Sequence, residues 1–139
     1  LDPNRDAFGF EKSGIPNRPV GSALLRRGEG RIALRWYRTS GEQFHSKYAA
    51  VRSGDTLWFT LGSANFTRRN IGDFNLEANV EVLAPMGSMV ARESTGWFEM
   101  LWGNAGGIPY TDPPETWAED SLLRLWQAGF MEATGLSTF

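Results

Sequence analysis

The alternation of hydrophobic and polar positions in the middle of the chain is typical of half-buried β-strands. Residues 56–61 read Thr-Leu-Trp-Phe-Thr-Leu, in which every second side chain is a candidate for the core. The preceding Ser53-Gly54-Asp55 segment has the composition of a hairpin turn and predicts pairing with a strand over 44–51. Two more strands are predicted over 32–38 and 76–83, the second ended by Ala84-Pro85.

Helical periodicity predicts three helices, over 20–27, 88–101 and 115–131. Segments 1–20 and 103–116 are rich in glycine and proline and are predicted to be loops, with a helical turn after Asn65 and frayed residues after Gly135. Strands mixed with helices predict an α/β fold, with a mixed β-sheet flanked by helices in one domain over 1–139. The apolar stripe of the last helix is formed by Trp117, Leu122, Leu125 and Trp126.

The composition is that of a folded globular domain. The chain has 139 residues, of which 41% are hydrophobic and 22% are charged, and this excludes a disordered chain. No apolar run reaches the ~18–20 residues of a membrane span. With no cysteine, disulfides and thiolate metal sites are excluded, and the compartment stays open. The opening Leu1-Asp2-Pro3-Asn4 resembles the end of a strand running into a turn, so we expect an amino-terminal part to precede it.

Charge is distributed unevenly along the chain. Residues 1–80 hold twelve Lys/Arg against eight Asp/Glu, a net charge of +4, whereas residues 81–139 hold two against eight, a net charge of −6. A basic half suits a site that receives a phosphate diester, although ordinary solvated faces also produce such an imbalance. The acidic half argues against a surface that wraps nucleic acid broadly.

One histidine and one lysine stand out from the other titratable residues. His45 is the only histidine, and Lys47 is one of two lysines beside twelve arginines. On a strand, residues i and i+2 point to the same face, so the imidazole and the ammonium group are expected to project together. A single histidine on a strand is more often a partly buried structural residue, but a nucleophile beside a fixed cation suits attack on phosphorus.

Residues 31–84 resemble the phospholipase D superfamily, whose signature is His-x-Lys, an Asp, and then Gly-Ser-x-Asn. The chain reads His45-Ser-Lys47, then Gly62-Ser63-Ala-Asn65, then Asn75-Leu-Glu77. Each piece alone is a weak signal, and their order along the chain carries the resemblance. It implies one phospholipase D-like half-domain, similar to the carboxyl-terminal half of an enzyme that has two such motifs.

The resemblance implies a role for each matching residue. His45 would be the nucleophile that forms a phosphohistidine, and Glu77 would hold its second nitrogen, with Glu81 as a weaker competitor. Phosphate oxygens would be bound by Lys47, Asn65, Ser63 and the backbone N–H groups around Gly62. Neither a metal nor another cofactor is expected. Arg68 and Arg69 are either phosphate contacts or a solvated pair.

The aspartate of the signature is displaced. The family places it five positions after the lysine, and that position holds Arg52. Asp55 keeps the spacing to Gly-Ser-x-Asn and is the candidate, although it also belongs to the predicted turn.

A single motif is half of an active site. The family's reaction needs a second histidine as general acid, supplied either by a missing amino-terminal part or by a second copy of the chain. The resemblance implies a phosphodiesterase or transphosphatidylase, with phospholipid preferred over nucleic acid as substrate. The alternatives are a metal-independent homodimeric endonuclease and a catalytically silent half that scaffolds a partner or a membrane surface. The tryptophans suit a peripheral membrane contact, but at helical spacing they are more often core or interdomain packing.

Overall fold

The structure, a computed structural model, describes residues 1–3, 17–42, 44–66, 70, 76–118 and 121–134. Within these ranges, three α-helices and two antiparallel sheets have defined bounds, which confirms the predicted mixed α/β class. No helix in this part of the chain is long and apolar enough to cross a membrane. The elements are α1 (Asn17–Gly28), β1 (Trp36–Tyr37), β2 (Tyr48–Ser53), β3 (Thr56–Gly62), β4 (Asn79–Pro85), α2 (Met89–Gly103), β5 (Thr111–Asp112) and α3 (Leu122–Thr134).

The chain divides into two compact units. The first comprises the described residues within Leu1–His45 and Leu101–Leu136, and the second comprises those within Ser46–Met100.

The second unit is built on a three-stranded antiparallel sheet in the order β2-β3-β4. The predicted hairpin is confirmed: Ser53 pairs with Thr56 and Tyr48 pairs with Leu61. Gly54 in the turn has φ 58°, a left-handed conformation that glycine adopts without steric cost. β4 returns along β3, so that Gly62 and Asn79 lie opposite each other at one end of the sheet.

The core of this unit lies on one face of the sheet. Leu57 and Phe59 of β3, Ala84 of β4 and Ala91 of α2 are buried together. Ser88 caps the start of α2, since its hydroxyl oxygen accepts a hydrogen bond from the Ala91 N–H at 3.3 Å. The small Ala91 side chain, which is fully buried, lets the first turns of the helix approach the sheet closely.

The first unit is organised around Trp36. Its indole N–H donates to the Pro114 carbonyl oxygen at 3.0 Å, and its ring lies against α1 at Gly21. A Cβ atom at Gly21 would lie 2.6 Å from the ring, so only glycine allows this approach. β1 pairs with β5, and Arg38 forms an ion pair with the buried Asp112. α1 also contacts α3.

Two predicted strands are shorter in the structure. The strand predicted over 32–38 is paired only at Trp36–Tyr37, because its partner β5 has two residues between Pro109 and Pro113. Proline has no N–H to donate and limits a ladder on either side. The strand predicted over 44–51 starts at Tyr48, where β3 ends its pairing.

Each of the three predicted helices has a counterpart among the described residues, with different bounds. α1 begins at Asn17, inside the segment predicted to be a loop, with Pro19 in its first turn. The helix predicted over 115–131 is divided into a 3₁₀ turn at Pro114–Trp117 and α3, which starts after Ser121. The Ser121 hydroxyl oxygen accepts from the Arg124 N–H at 3.4 Å and caps this new start. Most of segment 1–20, the tail after Gly135 and all of the turn after Asn65 except Asn70 lie outside the described residues.

Candidate active site

The Gly62-Ser63-Ala64-Asn65 loop leaves the end of β3 and is fastened to the segment that leads into β4. The Ser63 N–H donates to the Ala78 carbonyl oxygen at 3.0 Å, and the Ala64 N–H donates to Asn79 Oδ1 at 3.3 Å. These bonds continue the β3–β4 pairing beyond Gly62. The loop therefore has a fixed backbone, as a site that recognises phosphate requires.

Gly62 is required by a close approach of two backbones. A Cβ atom at this position would lie 2.3 Å from the Ala78 carbonyl oxygen and 2.1 Å from Asn79 Oδ1. No side chain fits there without displacing β4.

The Ser63 hydroxyl group is used within the protein. It donates to Glu77 Oε2 at 2.6 Å, and its oxygen accepts from the Ala78 N–H at 3.0 Å. The sequence predicts that this hydroxyl and the neighbouring N–H groups bind phosphate, whereas in the structure the Ser63 and Ala64 donors point to 77–79. The phosphate-binding role of Ser63 stays a prediction.

Glu77 is held through both of its carboxylate oxygens. Ser63 donates to Oε2, and the side-chain amide of Asn70 donates to Oε1. Sequence reasoning missed Asn70 and Asn79. Asn79 could have been identified from its spacing to Glu77, because residues i and i+2 of a strand lie on the same face. Nothing in the sequence identifies Asn70 as a partner of Glu77.

Lys47 lies at the same end of the sheet as the loop. It directly precedes Tyr48, whose partner Leu61 is followed by Gly62. The Tyr48 hydroxyl group shares a hydrogen bond with Ser94, and its ring packs edge-on against Trp97. Tyr48 thereby anchors the start of β2 next to Lys47. Asn65 is exposed at the end of the loop.

His45 is exposed and is the last residue of the first of the two segments that make up the first unit. The segment before it is ordered by Tyr37, whose ring stacks on Phe44 with 4.5 Å between centroids. The Tyr37 hydroxyl group also donates to Glu42 at 2.8 Å. Burial and this bond to Glu42 raise the pKa of Tyr37 to about 12. Glu42 and Phe44, which precede His45, are thus both in contact with Tyr37.

The remaining residues named from the sequence lie away from the Ser63–Glu77 pair or outside the described part. Asp55 and Arg52 are at the turn end of the β2–β3 hairpin, where the Met86 N–H donates to the Asp55 carbonyl oxygen. Six strand residues at ~3.3 Å each separate this end from Gly62, roughly 20 Å. Glu81 is exposed on β4 opposite Thr60. Arg68 and Arg69 lie outside the described residues.

No group of three or more His, Cys, Asp or Glu side chains among the described residues is arranged to hold a metal ion. The donors gathered at the loop are hydroxyl, amide and backbone groups around one carboxylate. Such a set can orient an imidazole or bind a phosphate oxygen.

One comparison with known proteins found a family match. Residues 1–102 match the protein family described as "Cardiolipin synthase, PLD-like domain". Searches of curated proteins and of solved structures found no significant match. The match spans both the His45-Ser46-Lys47 segment and the loop fastened by Glu77 and Asn79. The chain therefore belongs to the phospholipase D superfamily, with a PLD-like domain whose family has a phosphodiesterase-type function.

Proposed function

We propose that the chain supplies one half of a phospholipase D-type active site, in which His45 attacks the phosphorus atom of a phospholipid. The observation that carries the proposal is the fastened Gly62–Asn65 loop at the same sheet end as Lys47. Family membership supports the reaction type.

The reaction proceeds in two displacements. An imidazole nitrogen of His45 forms a P–N bond while the P–O bond to the leaving alcohol breaks, and that alkoxide oxygen takes a proton from a general acid. Water or a second alcohol then attacks phosphorus, the P–N bond breaks, and the attacking oxygen gives its proton to the same group, now acting as a base. The product is a phosphate monoester or a new diester.

Each proposed role matches the chemistry of its side chain. The Lys47 ammonium and the Asn65 amide stabilise charge on the nonbridging oxygens, and one preorganised donor of this kind contributes about 3–4 kcal/mol to the transition state. Glu77 accepts a hydrogen bond from the second imidazole nitrogen. A carboxylate has about four lone-pair positions, so the bonds from Ser63 and Asn70 leave capacity for this one.

The general acid must come from outside this sequence. The chain has one histidine, and in this scheme His45 is the nucleophile. We therefore propose that a second motif-bearing half, from another polypeptide segment or a second copy, completes the site.

Exposed apolar side chains beside the loop favour phospholipid as substrate. Phe66 follows Asn65 and Leu76 precedes Glu77, and these side chains are 58% and 104% exposed. Leu61 and Val80, paired across β3 and β4 next to Gly62, are also exposed. Apolar groups this close to phosphate-binding residues suit acyl chains better than a nucleic-acid backbone. The matching family is also named for the synthesis of a phospholipid, cardiolipin.

Substitution of the proposed catalytic groups tests this function. We expect His45→Ala, Lys47→Ala and Asn65→Ala to abolish hydrolysis of a chromogenic phosphodiester, with far-ultraviolet circular dichroism unchanged. Asp55→Asn is the matched control and should retain activity, because Asp55 lies at the far end of the hairpin. Unchanged turnover by His45→Ala would sink the proposal. Cleavage of DNA in preference to a phospholipid would instead favour the endonuclease alternative.

A further inference from the structure

Asn70 is a buried amide in contact with the Glu77 carboxylate. Its side chain is 8% exposed, and its Nδ2 group donates to Glu77 Oε1. Burying an amide is unfavourable unless its hydrogen bonds are satisfied, so a polar residue here requires a strong partner. A carboxylate is such a partner, because hydrogen bonds to charged groups are about twice as strong as those between neutral groups.

Glu77 itself is exposed and carries a flexible side chain. It lies just before β4, outside the buried core. A free glutamate side chain occupies several rotamers, and a group that must orient an imidazole has to occupy one. Two donors on separate segments impose that restriction: Ser63 from the loop after β3 on one oxygen, and Asn70 on the other.

We propose that Asn70 is a positioning residue for the reaction, which holds the Glu77 carboxylate in the orientation that His45 requires. The inference rests on the proposed function, since it assigns Asn70 an effect through Glu77. Asn70 makes no contact with substrate in this scheme. Its loss should therefore lower kcat and leave KM unchanged.

An isosteric substitution isolates the hydrogen bond. Asn70→Asp keeps the shape of the side chain, removes the amide donor and places a second carboxylate beside Glu77. We expect kcat to fall about 10- to 100-fold with KM within about twofold, as for loss of one hydrogen bond to a charged group. In a Glu77→Gln background the same substitution should cause little further loss, because both act through one group. Asn17→Asp, at the exposed start of α1, is the matched control and should leave kcat unchanged.

A reciprocal exchange separates positioning from structural support. In the Asn70→Asp/Glu77→Gln double variant, the new Gln amide donates to the new Asp, so the hydrogen bond forms with its polarity reversed. We expect the double variant to recover the melting temperature that each single variant loses. Its kcat should stay low, since the glutamine amide does not replace a carboxylate in supporting an imidazolium.

The outcomes distinguish this inference from the proposed function. If the wild-type full chain, in the assembly that turns over, is active and Asn70→Asp has an unchanged kcat, the positioning role is overturned and the function stands. A raised KM with unchanged kcat overturns it as well, because Asn70 would then act on substrate. Recovery of kcat in the Asn70→Asp/Glu77→Gln double variant also overturns the positioning role, because it would show that the hydrogen bond only supports the structure. A wild-type protein with no phosphodiesterase activity in any assembly overturns the proposed function, and the positioning role with it.

Discussion

At the residue scale, the Ser63 hydroxyl group has one proton to donate, and it donates that proton to Glu77. The Gly-Ser-x-Asn signature therefore combines residues with different roles. Gly62 permits a close backbone contact, Ser63 fastens the loop to Glu77, and Asn65 at the exposed end faces solvent. Of the loop side chains, we infer that Asn65 is the one positioned to meet a phosphate.

Tyr37 gives a prediction about alkaline stability. Its pKa is raised from about 10 in the unfolded chain to about 12 in the fold, by burial first and then by Glu42. The folded state thus holds a proton that the unfolded state has released, so stability should fall as pH rises from about 10 to about 12. The ring is only partly buried, so we expect a loss of about 1 kcal/mol or less.

Urea unfolding at several pH values measures this effect. Tyr37→Phe has no proton to lose at this position and should show a smaller decline between pH 10 and pH 12 than the wild-type chain. Equal declines in the two proteins would contradict the raised pKa.

The residues of the proposed site were named from the sequence, but their hydrogen-bond partners were not. His45, Lys47, Asn65 and Glu77 are the residues that the resemblance to the superfamily signature implies. The bond from Asn70 to Glu77 joins residues seven positions apart between β3 and β4, and periodicity contains no information about such a contact. For Asp55, two sequence signals disagreed. Its spacing to Gly-Ser-x-Asn suggested the aspartate of the motif, whereas the composition of Ser53-Gly54-Asp55 correctly predicted a hairpin turn.

At the element scale, the β3–β4 pair positions the loop. Gly62→Ala should destabilise the chain by about 3 kcal/mol, because the added methyl group overlaps the Ala78 carbonyl oxygen and forces the strands apart. Gly96→Ala in α2 is the matched control. Its added methyl group has no atom within 4 Å, and the variant should be more stable by about 1 kcal/mol because alanine favours a helix more than glycine does.

Chemical denaturation of the two variants provides the comparison. A Gly62→Ala variant as stable as the wild-type chain would mean that β4 does not approach β3 as closely as described.

The elements themselves were predictable where local chemistry decides them. The hairpin follows from alternation and from the Gly54 turn, and both were correct. β1 is short because its partner strand β5 has only two residues, between Pro109 and Pro113. α3 starts where it does because Ser121 caps it. These prolines and this serine are visible in the sequence, but hydrophobic periodicity alone predicts a longer strand and a longer helix than the structure has.

At the scale of the whole molecule, the chain contains one histidine and therefore one nucleophile of the proposed kind. Its described residues form two compact units, with His45 in the first and Lys47 and the fastened loop in the second. The proposed site therefore needs a second motif in addition to this one.

Trapping the covalent intermediate tests the central claim most directly. The active assembly would be given a phospholipid labelled at phosphorus, and the reaction would be quenched during turnover. The modified residue would then be identified by mass spectrometry. We predict an acid-labile phosphatidyl group joined to His45 through a P–N bond, absent from the His45→Ala variant. Continued turnover with no label on His45, or a label on Ser63 instead, would contradict the account.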